Sequence, residues 1–136
     1  MDHVSKLKRS QIMAAVRSKD TSPELAVRRI VHGMGFRYSL HRRSLPGTPD
    51  LVFTSRGKVI FVHGCFWHRH SGCKYTTTPK TRVKFWKDKF DRNVERDRQA
   101  RRELRRLGWR WLTVWQCDLK RPERLVKRLE KFLCAE

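Results

Sequence analysis

Residues 46–64 read PGTPDLVFTSRGKVIFVHG. Pro46 and Gly47 are turn formers, and the apolar run that follows Pro49 and Asp50 has the composition of a strand. Ser55, Arg56 and Gly57 carry turn chemistry. Residues 58–64, KVIFVHG, are a short β-branched run suited to a buried strand. This spacing predicts two strands joined by a tight turn. Upstream, SPELAVRRIVHGMG (22–35) predicts a helix capped by Ser22 with Pro23 in its first turn. Its inward face would be Leu25, Val27, Ile30, Val31 and Met34, and Gly33 or Gly35 would end it. Residues 36–45 suit a strand or an extended loop, and 65–80 are irregular. From about Thr81 to Leu107 the pattern is helical and densely charged, and Gly108 stops it. WRWLTVWQC (109–117) is a third strong strand, and 123–133 is an amphipathic helix with Leu125, Val126, Leu129, Phe132 and Leu133 inward. Helix, hairpin, helix, strand, helix implies an α/β domain with a mixed sheet. Residues 1–20 are expected to form a basic arm and a short helix marked by Ile12, Met13 and Val16, ahead of one domain over 21–136.

The chain has 136 residues, enough for one domain with a real core. Lys and Arg number 33 against 13 Asp and Glu, a formal net charge of +20. Self-repulsion on that scale favours a polyanionic partner, and nucleic acid phosphates attract Lys and Arg whatever the base sequence. No stretch approaches the ~20 apolar residues of a membrane span. The N-terminal residues lack the apolar core of a secretory signal, so a cytosolic location is expected.

Four cysteines in a reducing compartment point to metal or chemistry before disulfides. Cys65, His70 and Cys73 lie within nine residues, and Cys117 follows at a strand end. These are ligands for tetrahedral zinc, with His68 a rival to His70 for the shell. Ordinary buried thiols are the plainer alternative. Cys134 has no evident partner and suits packing in the last helix. Asp50, at the mouth of a strand, can hold a hard cation such as Mg²⁺. His63, His68 and Glu24 fall in segments that can converge on it. Singly, each has an ordinary structural explanation; clustered beside basic surface, they imply metal-assisted phosphodiester hydrolysis. Phe66, Trp67 and Trp86 are flanked by Lys and Arg and suit stacking on bases or wedging between them. Trp109, Trp111 and Trp115 alternate along a strand and are expected in the core.

SLPGTPDLVF, VIFVHGCFWHRHSGC, the Phe85–Trp86 pair, NVERD (93–97) and LGWRWLTVWQC together resemble the very-short-patch mismatch repair endonucleases, over about Arg9 to Leu133. The resemblance implies a restriction-endonuclease-like three-layer fold with a central mixed β-sheet, flanking helices and a structural zinc. It implies nicking of one strand 5′ to the T of a T:G mismatch left by 5-methylcytosine deamination. By that resemblance Asp50, aided by the Val62 carbonyl, would hold catalytic Mg²⁺, and Glu24 would hold water around the cation. His68 would be the general base, and His63 a second catalytic histidine near the scissile phosphate or leaving group. Cys65, His70, Cys73 and Cys117 would bind zinc. Phe66, Trp67, Trp86, Met13 and Asn93 would contact the DNA. The implied partners are double-stranded DNA with a T:G mismatch, mismatch-repair proteins and, through function, a cytosine-5 methyltransferase; a monomer is expected. A related sequence-specific endonuclease and a non-catalytic zinc DNA-binding protein are the competing readings.

Overall fold

The computed structural model describes residues 21–135. The expected arm and short helix over 1–20, with Met13, lie outside the described residues.

Helix α1 spans Ser22–Gly33. Thr21 caps it in place of Ser22: its hydroxyl accepts from the Glu24 N–H at 3.4 Å, and Pro23 occupies the first turn, where no N–H is needed. The buried stripe of α1 is Glu24, Val27 and Val31, so it begins on a carboxylate. Leu25, expected inside, is exposed. A turn whose inward position goes to a charged group has a reason other than packing.

Strands β1 (Ser39–Leu40), β2 (Leu51–Phe53), β3 (Lys58–His63) and β4 (Arg110–Trp115) form one sheet in that order. The first two pairings are antiparallel and β3–β4 is parallel. The expected hairpin forms, closed by a short 3₁₀ turn at Thr54–Arg56 and Gly57 at φ 64°. Helix α2 (Val83–Arg106) lies in the β3-to-β4 crossover, and α3 (Pro122–Cys134) closes the domain. The parallel pair needs a long connection of this kind.

Both faces of the hairpin are covered, which is why β2 and β3 show unbroken apolar runs instead of alternation. On one face Leu51, Phe53, Ile60 and Val114 pack with Val27 and Val31 of α1 and Leu125, Leu129 and Leu133 of α3. On the other, Val52, Val59 and Phe61 pack with Leu45 and Leu104 of α2, joined by Trp109 and Trp111. This is the expected mixed sheet between helical layers. Buried Lys58 closes one end: its Nζ donates to the carbonyls of Phe132, at 2.6 Å, and of Ala135, satisfying the C-terminus of α3.

The loop before β2 is pressed against the second core. Gly47 has φ 77°, and a Cβ there would stand 2.7 Å from the Ala100 Cβ and 3.1 Å from the Phe61 ring. Both backbone and space demand glycine, three residues before Asp50. Gly47→Ala is expected to lower stability by about 1–3 kcal/mol, read as a shifted urea midpoint at unchanged slope; a midpoint equal to wild type would contradict this packing.

Candidate functional site

A cleft of about 820 Å³ opens at one end of the sheet. Asp50, Glu24, His41, Val62, Trp67, His68 and Asp97 are among its walls. The first side of the cleft is a carboxylate corner. Asp50 Oδ2 accepts from the Val62 N–H at 2.6 Å, which fixes the carboxylate to β3. Glu24 reaches the same corner from α1, 1% exposed. Its Oε2 is held by Arg28 and by His41 Nε2, the latter at 2.7 Å. Burial pushes the Asp50 carboxyl up to about 8, opposed by the Val62 N–H and reinforced by the neighbouring Glu24. Ligand atoms of Glu24, His41 and Asp50 all lie within 4.8 Å of one another. A buried carboxylate and a half-buried one this close are unfavourable alone and suit a hard divalent cation.

The second side is a pair of stacked imidazoles. His68 Nδ1 lies 2.7 Å from Asp97 Oδ2, which as an acceptor places the proton on Nδ1 and leaves Nε2 as the basic nitrogen. His63 lies behind His68, with ring centroids 3.8 Å apart and planes 5° apart. His63, expected as a second catalytic histidine, stands directly against His68 and Asp97, the ligand atoms of all three within 4.8 Å of one another. The alternation of β3 turns its ring inward beside Phe61, it is 6% exposed, and it is not a wall of the cleft. Burial, and then the neighbouring His68, push its pKa down to about 3, so it is neutral at physiological pH.

Trp115, expected in the core, belongs instead to this stack. Its ring meets His63 edge-on at 5.4 Å and lies flat on His70 at 4.2 Å. His70 in turn joins Cys65, Cys73 and Cys117, whose ligand atoms lie within 4.8 Å of one another. A tetrahedral zinc shell spaces its sulfurs roughly 3.8 Å apart, so the cluster fits a metal of that kind. Burial and the neighbouring thiols push Cys117 up to about 12, as the crowding of three sulfurs requires. The two histidines left as rivals by their spacing are thus separated: His70 faces the thiols and His68 faces the cleft. The cysteine cluster is not the loop's sole brace. Arg69, at φ 53°, donates to the Thr77 carbonyl at 2.8 Å and stacks 4.1 Å over Phe90.

Phe66, Trp67, Trp86 and Phe90 form one aromatic cluster, with Phe66–Trp67 and Phe66–Phe90 centroids each 5.1 Å apart. Lys89 Nζ lies 5.3 Å from the Trp67 ring. Asn93, expected to contact DNA, donates to the Trp67 carbonyl at 3.2 Å, so its amide holds the aromatic in place.

Sequence reasoning missed His41, Asp97 and Trp115. Asp97 closes the NVERD string, and its four-residue spacing from Asn93 puts both on one side of α2. That spacing is a usable signal. Nothing in the local sequence marks His41, which reaches Glu24 across 17 positions.

A family model described as DNA mismatch endonuclease Vsr matches residues 1–74. The chain is 48% identical over 132 residues to Type II nicking enzyme V.XorIIP of Xanthomonas oryzae pv. oryzae, covering 97% of this chain and 96% of that protein. It is 42% identical over 136 residues to DNA mismatch endonuclease Vsr of Escherichia coli K12, covering 96% and 86% respectively. Type II nicking enzyme V.NmeAIP of Neisseria meningitidis is 38% identical over 126 residues, covering 93% and 89%.

The carboxylate corner has a measurable signature. The Asp50 carboxyl moves from an ordinary 3.8 to about 8 on folding. Between those values the folded protein binds a proton the unfolded chain lacks, so this group's contribution to stability falls as pH rises through that window. Asp50→Asn removes the effect, and its Oδ1 can still accept from Val62. Without added divalent cation, the variant should out-melt wild type by a margin that widens from pH 4 to 8, on the order of a few kcal/mol. Added Mg²⁺ should narrow it. The opposing titration of His63 is common to both proteins and cancels. A pH-independent margin would contradict the coupling of Asp50 to its buried corner.

Proposed function

The chain belongs to the family of the DNA mismatch endonuclease Vsr, and from that premise we propose that it nicks one strand of duplex DNA 5′ to the T of a T:G mismatch left by 5-methylcytosine deamination. The observation that carries this reading is one cleft joining a buried carboxylate corner to an Asp97-oriented imidazole. Beside it, Trp67 and Lys89 reach from the aromatic cluster to the cleft wall. We further propose a single endonuclease domain acting as a monomer in the cytoplasm, served by mismatch-repair proteins and linked in function to a cytosine-5 methyltransferase. The single sheet with a core on each face supports the first point.

The chemistry follows from the two sides of the cleft. Asp50 would hold Mg²⁺, with the Val62 carbonyl on the strand side that already presents its N–H to Asp50, and Glu24 would hold water around the cation. Mg²⁺ there would supply charge neutralisation at the phosphate. His41 and Arg28 hold Glu24 in orientation. His68 Nε2 takes the proton from the attacking water while Nδ1–H stays on Asp97, which stabilises the imidazolium as it forms. His63, a neutral ring stacked on His68, would be the second catalytic histidine, near the scissile phosphate or leaving group. Zinc on Cys65, His70, Cys73 and Cys117 would hold the loop that carries Phe66 and Trp67. The braced aromatics then wedge beside the mismatch, where unstacking, about a few kcal/mol per step, costs least.

A nicking assay on matched and T:G duplexes, with and without Mg²⁺, tests this. Single-strand incision only of the mismatch is expected. Cuts in both strands of matched DNA would favour a sequence-specific endonuclease, and binding without cleavage a non-catalytic DNA-binding protein. His68→Ala should reduce incision by about 10²–10⁴ with the fold intact and only a small melting loss, whereas Cys117→Ala should lower the melting temperature further and release zinc. Equal melting losses would sink this division of roles. Trp67→Ala should weaken discrimination between mismatched and matched duplex more than overall affinity, as read by competition binding.

A further inference from the structure

A second groove, of about 700 Å³, shares no wall with the active-site cleft. Its cations are Lys74, Lys120, Arg121, Arg124, Lys127 and Arg128. Among the described residues, the sole acid in its wall is Asp118, already occupied by the Trp115 N–H at 2.8 Å and by Arg128 at 3.0 Å. Among those same residues, the other five cations have no carboxylate partner. Tyr75, 38% exposed, stands between Lys74 and Lys120, whose Nζ atoms are 5.3 and 5.7 Å from its ring centroid.

On α3, Arg124 and Arg128, one turn apart, face the groove, and Lys127, which stands at helical spacing from Glu123 and Glu130, joins them in its wall. Arg121 and Arg124 also sit at the N-terminal end of α3, where the helix dipole disfavours cations. Crowded like charge at such a position is destabilising unless a polyanion covers it.

The groove is continuous with the machinery already described. Gln116 is a wall of the cleft, and Cys117 and Asp118, the next two residues, are walls of the groove. Likewise the loop that carries Trp67 and His68 in the cleft continues to Cys73, Lys74 and Tyr75 in the groove. The cysteine cluster is therefore the partition between the two.

We propose that this groove is a second DNA contact, binding the phosphate backbone of the duplex arm that flanks the reaction site. It adds affinity without reading sequence. The inference rests on the DNA-cleaving reading for the identity of the polyanion.

The test compares wild type with Arg121→Gln/Arg124→Gln/Lys127→Gln by fluorescence anisotropy across a salt series. Two T:G duplexes serve as probes: one of about one helical turn, roughly 10 base pairs, and one of about three turns. On the long duplex, the slope of log affinity against log salt should become shallower by about 2–3, nearly one for each phosphate that the variant no longer neutralises. Matched and mismatched long duplexes should lose affinity by the same factor. On the short duplex the slope should not change, and single-turnover nicking at saturating protein should stay at the wild-type rate. Circular dichroism melts establish that the variant is folded. An unchanged slope on the long duplex overturns the proposal. If polyglutamate binding is then lost in the variant, the groove belongs to an acidic protein partner instead. A slope change accompanied by failure of the wild type to nick T:G duplex would leave the groove standing and remove the nickase reading alone.

Discussion

The parallel register of β3 against β4 is the constraint on which the site depends. It sets His63 opposite Trp115, and so delivers the segment 64–68 beside residues 116–118 as both strands end. Cys65 can meet Cys117 for this reason, and Trp115 can lie between His63 and His70. A slip of one residue would turn every side chain of β4 to the opposite face. Trp115 would leave the stack and Val114 would leave the core. The register is held because both faces are buried: Val114 packs toward α1 and α3, and Trp111 toward α2.

A column of flat groups consequently runs from the cleft to the cysteine cluster: His68, His63, Trp115 and His70. Each contact is modest, on the order of 1 kcal/mol. Together they tie His68, at the cleft, to the cysteine cluster. Chain connectivity makes the same link, since His68 and His70 are two residues apart. A segment held at both ends keeps its aromatics in place where an irregular loop would otherwise collapse. Arg69 adds a metal-independent strut across the same loop.

Charge is arranged in opposition. The chain carries +20 overall, yet the acids Asp50, Glu24 and Asp97 are gathered on the walls of one cleft. Basic surface draws in the polyanion over long range and fades with salt. The cleft carboxylates, with Glu24 buried, act at short range, where the medium screens less. Asp50 held near 8 by burial is the signature of a corner built to take up positive charge.

Much of this was legible from residue order. The hairpin over 46–64, the long charged helix, the third strand and the amphipathic last helix follow from local patterning, because turn chemistry and apolar periodicity act over a few residues. The metal-ligand types and Asp50 were visible because few other residues can do their chemistry. Sequence could not decide which of His68 and His70 faced the thiols, that His63 lies behind its neighbour, or that Trp115 leaves the core for the stack. Nor could it show that Asn93 holds Trp67 or that His41 holds Glu24. Those are contacts between segments distant in the chain, fixed by a sheet register and a crossover helix. Local sequence determines which groups are available; only packing determines which of them meet.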